Sequence, residues 1–155
     1  MMFDIDIEGF AWFNVYLYIY EYGELTCRKD VMSWAVMSTD GANIHWNETL
    51  TISAAFDSET NSKTYAFAYD GAQTRPIPIP IGFSGSSARA WGHIEEPVYI
   101  DSEQDEQAIV LYVAKFNNSN SMATLGHDIQ ELLQNPEPLK LYTTTHVIKL
   151  IFSNQ

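Results

Sequence analysis

The stretch Phe10-Ala11-Trp12-Phe13-Asn14-Val15-Tyr16-Leu17-Tyr18-Ile19-Tyr20-Glu21 carries its large residues with a period of two, and that alternation decides the fold class. Successive side chains of an extended chain point to opposite faces, so Val15, Leu17 and Ile19 share one side and Tyr16, Tyr18 and Tyr20 the other. The stretch reads as a central strand. Only its aliphatic side lacks polar atoms, so that side is expected to face a core between two sheets. The tyrosine ladder is then expected to form an outer, partner-facing surface.

The flanking segments extend the same pattern. Phe3, Ile5 and Ile7 alternate with Asp4, Asp6 and Glu8, as in an edge strand with one wet face whose charges discourage pairing with another molecule. Gly23 supplies positive φ for a tight turn, and Leu25 to Lys29 returns as an antiparallel hairpin partner. Asp30 to Met37 reads as a further strand. Ile44 to Ala55 is a strand with Trp46, Glu48, Leu50 and Ile52 on one side, which places the Trp46 ring across the core from Val15, Leu17 or Ile19. Thr64 to Tyr69 alternates Tyr65, Phe67 and Tyr69 with two alanines, and Asp70-Gly71 ends it.

Arg75-Pro76-Ile77-Pro78-Ile79-Pro80-Ile81 lacks backbone donors at every second residue, so it is an edge strand or a polyproline-type span laid on the core by its isoleucines. Short strands are expected at Ala88 to Trp91 and Pro97 to Ile100, and a strongly apolar one at Ala108 to Phe116. Leu125, Ile129, Leu132 and Leu133 recur at helical spacing between a capping Thr124 and Asn135-Pro136, which predicts one short helix over 124–134. Leu139 to Phe152 closes the chain as one long or two short strands. The expected architecture is all-β: an antiparallel two-sheet β-sandwich with one short helix in the C-terminal half, in a single domain over residues 1–155.

Composition narrows the function classes. Eight Lys and Arg against twenty Asp and Glu give a formal net charge of −12, a field that repels phosphate backbones and anionic lipid and favours a basic protein partner. Nucleic acid is therefore excluded as a partner and a membrane surface disfavoured. Cys27 stands alone, so no intrachain disulfide forms, and a reducing cytoplasm is the expected compartment. No apolar run approaches the roughly 18 residues needed to span a bilayer.

No catalytic constellation is legible. His45, His93, His127 and His146 contain no pair at metal-ligand spacing, and Ser86 stands where a nucleophile elbow begun at Gly82 requires glycine. No phosphate loop occurs, so neither a cofactor nor an enzymatic activity is expected. Glu95, Glu96, Asp101, Glu103, Asp105 and Glu106 place six carboxylates within twelve residues. They lack the spacing and central glycine of an EF-hand loop, and read as a contact patch for a basic partner or as a solvated loop.

Tyr22-Gly23-Glu24-Leu25-Thr26-Cys27 after a long strand, Trp46-Asn47-Glu48-Thr49-Leu50 entering another, and Ala90-Trp91-Gly92 resemble segments of the calcium-and-lipid-binding β-sandwich family first described as the second conserved region of protein kinase C, in its phosphoinositide-kinase variant. The resemblance implies an eight-stranded antiparallel sandwich whose end loops touch membranes, proteins or calcium. The paired aspartates of its calcium loops are absent here, with Asp40, Asp57 and Asp70 single.

Together these readings give a non-catalytic module that recognises another protein through Tyr16, Tyr18 and Tyr20 and the acidic stretch from Glu95 to Glu106. Two alternatives stand beside it. One is an acidic immunity or inhibitor protein that neutralises a basic toxin or nuclease; the other is a calcium-dependent membrane-surface adaptor.

Overall fold

A computed structural model describes residues 1–8, 12–35, 45–81, 87–94, 106–116, 131–132, 135 and 137–153. Within them the chain forms ten strands: β1 (Met2–Glu8), β2 (Trp12–Glu21), β3 (Glu24–Ala35), β4 (His45–Asp57), β5 (Ser62–Tyr69), β6 (Ala72–Gln73), β7 (Ile77–Pro80), β8 (Ser87–His93), β9 (Glu106–Phe116) and β10 (Thr144–Ser153). All pairings are antiparallel. One sheet runs β1-β4-β5, with the far edge of β5 shared between β6 and β7; the other runs β3-β2-β10-β9-β8.

The period-two reading of β2 assigns its aliphatic face correctly: Val15, Leu17 and Ile19 are buried in the main core. β2 is an interior strand, paired on both sides. The middle strand of the second sheet is β10, rich in β-branched residues and buried along most of its length, and β2 lies between it and β3. Residues 24–35 form one strand rather than two. Val31 and Thr26 are passed over where the β2–β3 register shifts, so two bulges carry the strand past its partner. Ile109 is the extra residue in the β9–β10 pairing, which lets Ile109 and Val110 both turn into the core.

The first sheet follows the sequence closely. Ile5 is buried and Phe3 packs on the core from the edge strand β1, while Asp4 accepts a 2.9 Å hydrogen bond from the Thr49 hydroxyl. Leu50 and Ile52 of β4 face inward; the Trp46 side chain lies outside the described residues, though its backbone pairs with Ile7. Tyr65, Phe67 and Tyr69 are buried. The isoleucine–proline segment is an edge strand, β7, with Ile79 buried and Pro78 and Pro80 exposed.

Both sheets feed one core. It joins Leu50, Ile52, Phe67 and Tyr69 of the first to Phe13, Val15, Leu17, Ile148 and Leu150 of the second. The Phe13 and Tyr69 rings meet edge to face, 4.5 Å between centroids.

One expectation near the C-terminus changes. Leu139 does not begin a strand: Glu137–Leu141 is a 3-10 turn, and β10 starts at Thr144. Of the expected helix, Glu131 and Leu132 are helical and the Asn135 amide donates to the Glu131 carbonyl at 2.8 Å; the rest of that segment lies outside the described residues, as does the strand expected over 97–100.

Candidate functional site

The outer face of the second sheet holds the tyrosine ladder. Tyr18 stands across from Arg28 of β3 and Val147 of β10, and Val147 across from Leu111 of β9. Tyr16 meets Tyr18 edge to face and Tyr18 stacks with Tyr20, each pair 6.4 Å between centroids. The Arg28 guanidinium sits 3.9 Å from the centre of the Tyr16 ring, and the Lys149 ammonium 4.6 Å from that of Tyr18. Cations thus lie over the electron-rich ring faces from both neighbouring strands.

The expectation of an open ladder is corrected at Tyr18, which is only 6% exposed. It belongs to a second apolar cluster with Leu111, Val113, Leu132, Tyr142 and Val147, against which Tyr16, Tyr20 and Leu139 also pack. Leu132, Leu139 and Tyr142 come from a strap formed by residues 131–132 and the 3-10 turn with its exit. Burial of Tyr142, reinforced by the negative charge of Glu131, pushes its phenol above the usual range. Tyr16 and Tyr20 remain half-buried.

Between strap and sheet runs a groove of about 500 Å³. Tyr20, Leu111 and Val147 floor it, Leu132 and Leu139 wall it, and Gln107, Lys149, Lys140 and Glu137 edge it with polar groups. Lys140 and Glu137 pair with each other at 3.0 Å. An apolar floor with a polar rim suits a short apolar segment of a partner.

The groove ends at the β2–β3 turn. Tyr22 and Gly23 have φ of 51° and 81°, positive at both central residues of a two-residue hairpin. The Tyr22 amide donates to the Thr143 carbonyl at 3.1 Å, which ties the turn to the exit of the strap. Gly23 presses so closely on Lys140 that an added Cβ would lie 2.5 Å from the Lys140 Cβ. Around this corner Tyr22 is 70% exposed, and Leu25 and Leu141 are exposed as well. The corresponding hairpin Asp70-Gly71, with φ of 46° and 75°, uses the residue pair that this geometry favours.

Of the expected acidic contacts, Glu95, Glu96, Asp101, Glu103 and Asp105 lie outside the described residues. The backbone of Glu106 opens β9 opposite Ile151, and the next residue, Gln107, lines the groove. Among the described residues no group of three His, Cys, Asp or Glu could hold a metal ion, and no helix is long and apolar enough to cross a membrane. The sequence reading missed the strap, the two cations on the ladder and the exposed corner. The placement of tyrosine rather than Asn, Asp or Gly before Gly23 was a legible signal for the last of these. No family model, curated protein or solved structure matches the chain.

Proposed function

We propose that the chain is a non-catalytic protein-binding module in which the two sheets stack as an antiparallel β-sandwich and the outer face of the second sheet receives the partner. An apolar segment of that partner lies in the groove beside Tyr20, and Tyr22 contacts it at the lip.

The observation that carries this reading is Tyr22. A left-handed backbone costs a residue with a Cβ about 1 kcal/mol, and Asn, Asp or Gly would be cheaper there. The tyrosine also leaves most of its ring in water, so its own fold recovers little of that cost. A rigid amphipathic ring at a groove end is what a binding surface uses.

The net charge of −12 favours a partner that is basic around its apolar segment, as a toxin or nuclease held by an acidic inhibitor would be. A lone half-buried cysteine suits work in a reducing compartment.

The test is capture from native lysate with the wild type, Tyr22→Ala and Leu141→Ser at low and high salt. Both substitutions are expected to reduce capture of one partner at least tenfold, and salt to weaken what remains. Equal capture by all three proteins would remove the groove and its lip from the proposal.

A further inference from the structure

Lys63 lies on the inward side of β5, in line with Tyr65, Phe67 and Tyr69, and is only 5% exposed. Removing an ammonium from water costs several kcal/mol unless a counter-charge meets it. The chain carries twenty carboxylates, yet among the described residues none stands within ion-pair distance of Lys63. What meets it instead is aromatic: its Nζ is 4.7 Å from the centre of the Trp91 ring and 5.1 Å from that of Tyr112, cross-strand neighbours on β8 and β9. A second cation approaches from the same strands, since the Arg89 guanidinium lies 3.9 Å over the ring of Phe56, the cross-strand neighbour of Lys63.

Behind this cation stand hydrogen-bonding groups with unused capacity. His146 pairs across the β9–β10 ladder with Tyr112, their rings 5.1 Å apart, and its Nδ1 is 2.9 Å from the Tyr65 hydroxyl. Burial, with the Lys63 charge adding to it, lowers His146 to about 3, so the ring is neutral. In the tautomer where the Tyr65 O–H donates to Nδ1, the ring proton sits on Nε2 and makes it a donor. Nε2 is buried without a hydrogen-bond partner among the described residues, as are the Tyr112 hydroxyl and the Thr144 hydroxyl two residues along the same face of β10. Trp91 on the edge strand β8 and Phe56 are exposed, whereas Lys63, Tyr112, Thr144 and His146 beside them are buried.

We propose that Lys63, Tyr112 and His146 form a binding site for a small oxyanion, a carboxylate or phosphate group. The site supplies a cation, an imidazole N–H and hydroxyl donors, and no carboxylate among the described residues that would repel a negative charge. An oxyanion accepts several hydrogen bonds at once and neutralises the ammonium. A metal cation would meet Lys63 and Arg89 and be repelled. The site lies on inward faces and shares no residue with the groove, so it stands independently of the protein-binding reading.

The experiment titrates the full chain at pH 7 with acetate and with inorganic phosphate, against potassium chloride at matched ionic strength. Calorimetry gives the affinity and the His146 imidazole resonances report the location. Saturable 1:1 binding of at least one oxyanion is expected, with His146 shifting in step and chloride without effect. Lys63→Met keeps an apolar stem against Trp91 and is expected to weaken binding tenfold or more. Tyr112→Phe removes one oxygen and serves if the lysine variant fails to fold; it too is expected to weaken binding severalfold. No saturable binding of either oxyanion, or unchanged affinity in a folded variant, would overturn the assignment.

Discussion

Replacing Gly23 with alanine tests whether the strap is locked onto the tyrosine face through the β2–β3 turn. The added Cβ would lie 2.5 Å from the Lys140 Cβ and 2.6 Å from its Cα, well inside the 3.5 to 4.0 Å at which carbon atoms attract. Backbone atoms cannot rotate away as a side-chain tip can, so the turn and the strap must separate. Overpacking of this kind costs about 1–3 kcal/mol, and holding alanine at a φ of 81° adds about 1 kcal/mol. A total near 3 kcal/mol follows. Gly71→Ala provides the control, because its φ of 75° imposes the same backbone strain while nothing lies within 4 Å of the new Cβ. Urea unfolding of the two variants should therefore differ by about 2 kcal/mol, with amide exchange faster at Tyr22 in Gly23→Ala alone. Equal losses in the two variants would refute the close docking of turn on strap.

Tyr22→Asn should raise stability by about 0.5–1 kcal/mol in urea melts, since asparagine tolerates positive φ, while partner capture falls; lower stability would show that the ring contributes to the fold. Leu17→Ala, at a fully buried position of the main core, should cost about 3 kcal/mol by the same measurement. Stability should also fall with acid. The folded His146 stays neutral down to about 3, whereas an unfolded histidine protonates near 6.5, so this contribution is complete above about pH 6.5 and is lost as pH falls toward 3. The slope approaches about 1.4 kcal/mol per pH unit, and His146→Asn should flatten the stretch between about pH 6.5 and 5, where carboxylates titrate little. An unchanged slope would mean that His146 is not held neutral.

The fold was legible wherever one strand's own alternation decided which face was buried. Val15, Leu17 and Ile19, the Tyr65-Phe67-Tyr69 face and the proline-interrupted edge at Ile77–Pro80 follow from period two and from the missing proline donors. The state of the tyrosine ladder was not legible, because what covers Tyr18 comes from Leu132 and Tyr142, more than a hundred residues away, and no local pattern states where a strap will lie. β3 looked like two strands because bulges at Thr26 and Val31 break the alternation without ending the ladder. The oxyanion cluster was invisible for a related reason. Lys63, Tyr112 and His146 sit on three strands, and each alone reads as an ordinary strand residue until pairing puts His146 beside Tyr112 and packing sets Lys63 over the Tyr112 ring.

The most direct measurement of the binding surface is site-specific photo-crosslinking in native cells, with a benzophenone amino acid at position 22 and, as control, at the exposed Ser53 of β4. Tyr22 lies at the groove end and Ser53 on the other sheet. The expected result is one discrete adduct from position 22 that weakens at least tenfold when Leu141→Ser is added, with none from position 53. Identical adduct patterns from the two positions, or an adduct at 22 indifferent to Leu141→Ser, would contradict a partner seated at the groove and its lip.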